Sequence, residues 1–142
     1  MRLAQRFAPI GLALLAALAL AGAATAVTAM SKGPAIVLKD KQFGNILATA
    51  KHQALYYWTK EKKDFRVRCT GACAKAWPPL IVKSASDVPR KIAGAKGTFG
   101  TVKRPDGKLQ VTYNRLPIYT YAHEGPNQVL CNNVDGWFVV KV

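Results

Sequence analysis

The stretch "GNILATAKHQALYYWTKE" (44–61) decides the fold, because "GKLQVTYNRLPIYTYAHE" (107–124) repeats its pattern 63 residues later. The two stretches align over 18 positions without a gap. The identical pairs are Gly44 with Gly107, Thr49 with Thr112, Tyr56 with Tyr119, and Glu61 with Glu124. A repeat of this kind is the mark of a duplicated structural unit. We therefore interpret the chain as two copies of one unit.

Each copy has the pattern of a small antiparallel β-meander, with short apolar runs separated by turn residues. The clearest turns are "RPDG" (104–107) and Asn114-Arg115 in the second copy. "TGACAKAW" (70–77) favours one short helical turn near Cys73, which Pro78-Pro79 would end. We predict a mostly β fold, in which a tandem repeat of two meanders with about eight strands forms one compact sandwich- or barrel-like domain. Repeat one is expected at about 35–83, a linker at about 84–97 and repeat two at about 98–142.

The N-terminus has the layout of a secretory signal peptide. Two arginines precede the apolar run 10–22, and Ala24-Thr25-Ala26 is the expected cleavage signal. We predict a signal peptide at 1–26 and a secreted β-repeat domain at 27–142; retention of the segment as an anchor is the alternative. The first cysteine is Cys69, so the chain has no obvious lipid-attachment site. The mature chain is expected to be exported, periplasmic or extracellular, without a transmembrane span.

The chain is strongly basic, with a net charge of +14 that becomes +12 once Arg2 and Arg6 are removed. Such a charge favours anionic partners, which for an exported protein are lipid headgroups, lipopolysaccharide or cell-wall polymer. Nucleic acid is not expected as a partner, since no nucleic-acid-binding motif is present. The densest positive charge lies in "KEKKDFRVR" (60–68), which we call the basic segment. Its candidate anion-binding residues are Lys60, Lys62, Lys63, Arg66 and Arg68, and an ordinary solvated loop is the alternative.

Both copies carry an aromatic motif that ends in a carboxylate. Its residues are Tyr56, Trp58 and Glu61 in the first copy, and Tyr119, Tyr121 and Glu124 in the second. Side chains two positions apart share one face of a strand, so each aromatic pair should point the same way. We expect buried aromatic pairs, with each Glu accepting hydrogen bonds from turn amides or a Tyr hydroxyl. An aromatic cleft between the copies and a glycosidase-like carboxylate pair are the functional alternatives.

These residues resemble a known family. "CTGACAKAWPPLIV" (69–82), "VKRPDGKLQVTYNRLPIYTYAHE" (102–124) and "GWFVV" (136–140) are similar to the bacterial secreted-repeat family of predicted lipoproteins with a Tyr-x-aromatic-x-x-Asp motif. The resemblance implies an exported, β-rich repeat protein and no established biochemical activity. Both copies have Glu where the family motif has Asp, and the lipidation cysteine is missing.

The three cysteines, Cys69, Cys73 and Cys131, allow one disulfide in an exported domain. We favour Cys69 with Cys73, because both lie in the segment that resembles the family; pairing of Cys131 with either one is the alternative. His52 and His123, together with a cysteine or Met30, are the only residues suggesting a copper or haem site. We expect a structural disulfide and no metal.

Enzyme signatures are absent from the sequence, which has no G-x-S-x-G, Walker-type or H-E-x-x-H motif. We therefore expect no catalytic residues and no cofactor. The predicted function is a non-enzymatic cell-envelope binding protein with a strongly basic surface for anionic envelope components. The alternative is a periplasmic redox- or metal-linked protein that uses Cys and His with haem or copper.

Overall fold

A computed structural model describes residues 33–142. The predicted signal peptide at 1–26, and Met30, lie outside the described residues, and the repeat boundaries stay a prediction. The described strands are β1 (Ile36–Asp40), β2 (Gly44–Ala48), β3 (Tyr56–Trp58), β4 (Ile81–Val82), β5 (Phe99–Lys103), β6 (Leu109–Tyr113), β7 (Leu116–Pro117) and β8 (Trp137–Val139). The helices are α1 (Ala72–Ala76) and two 3-10 turns, Thr59–Glu61 and Ala85–Asp87. The predicted mostly β fold, with eight antiparallel strands and a helical turn at Cys73, is confirmed. None of the helices within residues 33–142 has the length and apolar character needed to cross a membrane.

Each copy begins with a hairpin. In β1–β2, the Asp40 carboxylate accepts hydrogen bonds from the backbone N–H groups of Gln42 and Phe43, at 2.7 and 2.8 Å. In β5–β6, the predicted "RPDG" turn is closed by the Gly107 N–H, which donates to the Arg104 carbonyl at 2.9 Å. Gly107 has a φ of 84°, a left-handed conformation that glycine adopts without strain. The two copies therefore begin with equivalent hairpins whose turns are closed by different contacts.

The two copies meet at their aromatic motifs. The Tyr56 N–H donates to the Tyr119 carbonyl at 2.8 Å, and the Tyr119 N–H donates to the Tyr56 carbonyl at 2.9 Å. These residues are equivalent in the sequence repeat, so the reciprocal pair marks an approximate two-fold axis between the copies. The axis relates the crossed hydrogen bonds and the strand exchange described below.

The closing strand of each copy pairs with the other copy. β4, at the end of copy one, pairs with β6 of copy two, and β8, at the end of copy two, pairs with β3 of copy one. The flanking residues follow the same exchange: the Val111 N–H donates to the Leu80 carbonyl at 2.8 Å, and the Leu47 N–H donates to the Val140 carbonyl at 2.9 Å. The meanders are therefore interlocked, which the sequence did not predict.

The core has one cluster on each side of this interlocked layer. Strand alternation separates Leu55 and Ile118, which lie in the first cluster, from Tyr56 and Tyr119, which lie in the second. The first cluster consists of Ala35, Leu47, Leu55, Val88, Phe99, Val111, Tyr113, Ile118 and Val140. The second consists of Ile46, Ala54, Tyr56, Cys69, Trp77, Tyr119, Trp137 and Val139. Val88 shows that the predicted linker contributes to the core and is not wholly a polar connector.

The interlocked strands predict that cutting the linker will not separate the copies. A protease site inserted after the exposed Ala93 and cleaved there should give two fragments that co-elute at the mass of the intact domain. The disulfide lies within copy one, so only non-covalent contacts hold the fragments together. Unfolding of the cut protein becomes bimolecular, and its midpoint should rise with protein concentration while that of the uncut control does not. Separation of the fragments on native size exclusion would contradict the exchange.

Candidate functional site

The aromatic motifs bind each other through two crossed hydrogen bonds. The Tyr56 hydroxyl donates to Glu124 Oε1 at 2.5 Å, and the Tyr119 hydroxyl donates to Glu61 Oε1 at 2.7 Å. Each tyrosine thus bonds to the carboxylate of the other copy and not to its own. All four side chains are at most 5% exposed. The motif therefore joins the two copies at the centre of the fold.

Backbone amides also donate to Oε1 of both carboxylates, whereas the buried Oε2 of each has no hydrogen-bond partner among the described residues. Glu61 Oε1 also accepts from the N–H groups of Arg68 and Cys69, at 2.7 and 3.2 Å. Glu124 Oε1 accepts from the Leu130 N–H at 2.5 Å. In each copy the carboxylate closes the loop that follows its own strand while it receives the tyrosine of the other copy. A carboxylate so bound offers no exposed oxygen for attack on a sugar, so the glycosidase-like arrangement has no support here.

Burial sets the protonation of these groups. Burial, reinforced by the hydrogen bond to Glu124, raises the pKa of Tyr56 far above its ordinary value. Burial and the nearby Glu61 carboxylate likewise raise the pKa of Tyr119. Both hydroxyls therefore remain donors at physiological pH. Burial also raises the pKa of Glu124, an effect that its hydrogen bonds from Tyr56 and Leu130 oppose.

Four aromatic rings form a continuous row across the two-fold axis, in the order Trp58, Trp137, Trp77 and Tyr121. The successive ring centroids are 5.2, 3.9 and 4.7 Å apart. The two inner rings are buried and the two outer rings are half-buried. The interface that could have formed an aromatic cleft is therefore filled by the protein's own rings. The predicted same-face pairs, Tyr56 with Trp58 and Tyr119 with Tyr121, pack within one cluster.

The cysteines divide into one disulfide and one free thiol. Cys69 and Cys73 are bonded, with their Cα atoms 5.1 Å apart across the turn of α1, which excludes the alternative pairings with Cys131. Cys131 is half-buried, and burial raises the pKa of its thiol.

Within residues 33–142 no set of three or more His, Cys, Asp or Glu side chains is grouped to hold a metal ion. His52 and His123 are both exposed, and His52 Nδ1 lies 3.2 Å from Asn127 Oδ1.

The basic segment lies on the surface, and all five of its cationic side chains are exposed. Arg68 forms a salt bridge with Asp64 at 2.6 Å. Lys60 Nζ lies 4.8 Å from the centre of the Trp58 ring, and Lys62 Nζ lies 5.0 Å from that of Tyr57. The aromatic faces attract these ammonium groups and limit where they can move. The segment thus presents positive charge next to the strand that carries the aromatic motif.

A groove of about 480 Å³ opens beside this segment, and we call it the Tyr57 groove. Its lining residues are Tyr57, Lys62, Tyr113, Asn114, Leu116, Ile118, Asn132, Asn133, Phe138, Val139, Val140 and Lys141. Tyr57 stacks on Phe138, with ring centroids 5.9 Å apart and planes at 19°. Of these residues, only Lys62 was among the sequence-predicted site residues. Phe138 and the three asparagines were missed because the strand exchange that brings them to Tyr57 has no signal in the sequence.

We predict that removing either crossed hydrogen bond lowers the stability of the fold, whereas removing a tyrosine hydroxyl outside the pair does not. Tyr56→Phe leaves the buried Glu124 carboxylate without its side-chain donor, and should lower the free energy of unfolding by about 1–3 kcal/mol. Tyr119→Phe should act similarly at Glu61. Tyr57→Phe is the matched control, since Tyr57 is half-buried and outside the crossed pair. Urea denaturation measures all three, and a Tyr56→Phe loss below about 0.5 kcal/mol would contradict the assigned role.

The raised pKa of Glu124 predicts a pH dependence of stability. Above the ordinary Glu pKa of about 4.3, the unfolded chain releases a proton that the folded protein still holds at Glu124. Stability from this group therefore falls as the pH rises through the window between the two pKa values. Glu124→Gln should remove that slope, whereas Asp135→Asn, which removes an exposed negative charge, should retain it. Urea midpoints measured from pH 4 to 8 test the difference, and equal slopes in the parent and Glu124→Gln would refute it.

The comparisons with known proteins agree with this architecture. The family model Lipoprotein_15, described as a secreted repeat of unknown function, matches residues 37–81 and 100–141. The two matches fall on the two copies and confirm the predicted duplication and resemblance. No match to this chain was found among curated proteins or among solved structures. Because the two matches cover more than half of the 142 residues, the chain belongs to this family of secreted repeats and is an exported protein.

Proposed function

We propose that this exported domain is a non-enzymatic binding protein of the cell envelope, periplasmic or extracellular, whose basic surface binds anionic envelope components. The observation that carries the proposal is the exposure of all five cations of the basic segment. Lipid headgroups, lipopolysaccharide and cell-wall polymer are the anionic surfaces that an exported protein meets.

Burial makes the surface more basic than the composition alone indicates. Two of the seven acidic residues, Glu61 and Glu124, are buried at the centre of the fold. Among the 18 Lys and Arg residues at positions 33–142, Arg104 is the buried one, and it donates to Gln110 and to the Cys69 carbonyl. Internal hydrogen bonds thus remove acids from the surface but leave nearly all cations on it. An excess of exposed positive charge attracts anionic surfaces and speeds encounter with them.

The chemistry of the motif residues supports binding over catalysis. The two carboxylates that are equivalent in the repeat bind tyrosine hydroxyls and backbone amides of the fold, as described above. The remaining candidate groups are the exposed histidines and Cys131, and within residues 33–142 they are not grouped to hold a metal ion. The described residues therefore favour a surface that attracts anions over a constellation that transfers protons or groups.

A redox- or metal-linked function is the alternative proposal. It would depend on Cys131, the free thiol beside the motif, because Cys69 and Cys73 are bonded to each other. Metal analysis and an absorption spectrum of the protein purified after export would test it. A bound metal or a visible absorption band that Cys131→Ser abolishes would favour this alternative.

The binding proposal predicts salt-sensitive retention on anionic membranes. Vesicles containing phosphatidylglycerol should sediment the protein at 50 mM NaCl, and raising NaCl to 500 mM should weaken binding at least about tenfold, because the Debye length shrinks. Phosphatidylcholine vesicles should not retain it. Lys60→Gln/Lys63→Gln should weaken binding about tenfold, since each cation near an anionic surface contributes separately.

The matched control is Lys75→Gln/Lys83→Gln, which removes the same charge from two exposed lysines outside the basic segment. It should weaken vesicle binding less than the substitution within the segment. Equal losses would show that net charge alone acts, and retention that is indifferent to salt would refute the electrostatic proposal.

A further inference from the structure

We infer that the Tyr57 groove is a binding site for an acidic sugar unit of an envelope glycan. This inference rests on the proposed function, which it deepens by naming the ligand class and the place where it binds. The groove has about 480 Å³, a size typical of sites for small molecules or short oligomers. It adjoins the basic segment through Lys62. Three properties of the groove define the ligand: a flat aromatic wall, a donor-rich rim and a net positive charge.

The aromatic wall is made by Tyr57 and Phe138. Their rings lie nearly parallel, at 19°, with centroids 5.9 Å apart. Tyr57 is on β3 and Phe138 is directly opposite it on β8, so the backbone pairing holds the two rings in a stack at one side of the groove. Both are half-buried, which leaves part of each ring open to a ligand. A fixed apolar surface of this kind suits a planar or ring-shaped group.

Two of the three asparagines on the rim, Asn114 and Asn132, present hydrogen-bond donors. The Asn114 side-chain oxygen accepts from the Thr98 N–H at 2.9 Å, and that of Asn132 accepts from the Val139 N–H at 3.1 Å. Each amide therefore has its NH₂ group left for a ligand. The Tyr113 hydroxyl accepts from the Gly97 N–H at 2.8 Å and likewise retains a proton to donate. An acceptor-rich ligand, such as a sugar with hydroxyl and carboxylate oxygens, matches this rim.

The charge of the groove is uniformly positive. Lys62 and Lys141 line it, and none of its lining residues is acidic. The described contacts of Lys62 and Lys141 are with aromatic faces, those of Tyr57 and Phe43, so their ammonium groups have no carboxylate partner in a salt bridge. An anionic group on the ligand would supply that partner. A neutral sugar would leave both ammonium groups without an anionic partner.

The same properties argue against a lipid chain. An acyl chain in the groove would cover the asparagine amides without offering them an acceptor, and a buried polar group without a partner is costly. A bare phosphate or sulfate would use the lysines and leave the aromatic wall uncovered. A sugar acid can contact the aromatic wall with its ring, accept hydrogen bonds from the amides and pair its carboxylate with the lysines. Because the groove has room for more than a small anion, the assignment is to a unit within a glycan chain.

The test uses trigalacturonate as the probe and the protein purified after export. Trigalacturonate should shift the side-chain amide resonances of Asn114, Asn132 and Asn133 in NMR titrations. Its methyl ester, which differs only by the missing charges, should bind at least about tenfold more weakly. Lys141→Gln should weaken trigalacturonate binding about fivefold, the scale of one partly exposed charge pair. Tyr57→Ala should weaken it at least about tenfold, with near-ultraviolet circular dichroism confirming that the ring stack is intact.

The controls separate this inference from the proposed function. Lys60→Gln/Lys63→Gln lies outside the groove lining, so it should weaken vesicle binding but change trigalacturonate affinity less than about twofold. Equal binding of the methyl ester, of inorganic sulfate or of monomeric galacturonate would overturn the glycan assignment, as would an unchanged affinity in Lys141→Gln. If vesicle retention persists in those cases, the proposed function stands without the groove. Loss of vesicle retention in the parent protein would instead refute the proposed function itself.

Discussion

The crossed pair of tyrosine–carboxylate hydrogen bonds is the interaction on which the rest of the structure depends. Burying Glu61 and Glu124 is costly unless both receive donors, and their side-chain donors are the tyrosines of the opposite copy. Neither copy alone can supply its own carboxylate with the hydroxyl it uses. The hydrogen bonds therefore require the two copies to meet face to face, with Tyr56 and Tyr119 directly opposed. A single copy would expose its tyrosine and leave its carboxylate with backbone donors only.

The strand exchange follows from this meeting. Once the two motifs face each other, the chain that leaves each copy lies over the neighbouring copy, where β4 pairs with β6 and β8 pairs with β3. Trp77 precedes β4 and Trp137 begins β8, and the exchange brings the centroids of their rings to 3.9 Å from each other. Hydrogen bonding, strand pairing and ring stacking thus stabilise the same arrangement. Because these three kinds of interaction all favour the same arrangement, that arrangement is more stable than other ways of packing the two copies.

Much of the fold could be predicted from the sequence, because its signals are local. Turn residues at Asn114-Arg115 and an alternating pattern around Tyr56 are properties of short segments, and both have the predicted conformation. The strand exchange could not be predicted, because the short apolar sequence of β4 is compatible with pairing to a strand of either copy. The Tyr57 groove depends on the exchange, because Phe138 reaches Tyr57 only through β8. The sequence therefore indicated the basic segment, but not the residues of copy two that surround the neighbouring groove.

The internal symmetry itself distinguishes architecture from function. The residues of the crossed hydrogen bonds are identical in both copies, and Trp58 of the ring stack corresponds to Tyr121 at the same spacing of 63 residues. Trp77 and Trp137 are 60 residues apart, and each lies at or just before the closing strand of its copy. The groove does not follow this rule: Tyr57 corresponds to Thr120, and Lys62 to Gly125. Phe138, one residue after Trp137, corresponds to Pro78 after Trp77. A contact that crosses the two-fold axis needs its residues in both halves of the structure, whereas a binding site is needed only once. The asymmetry at Tyr57 is therefore the structural reason for proposing the binding function there rather than in the motif that both copies share.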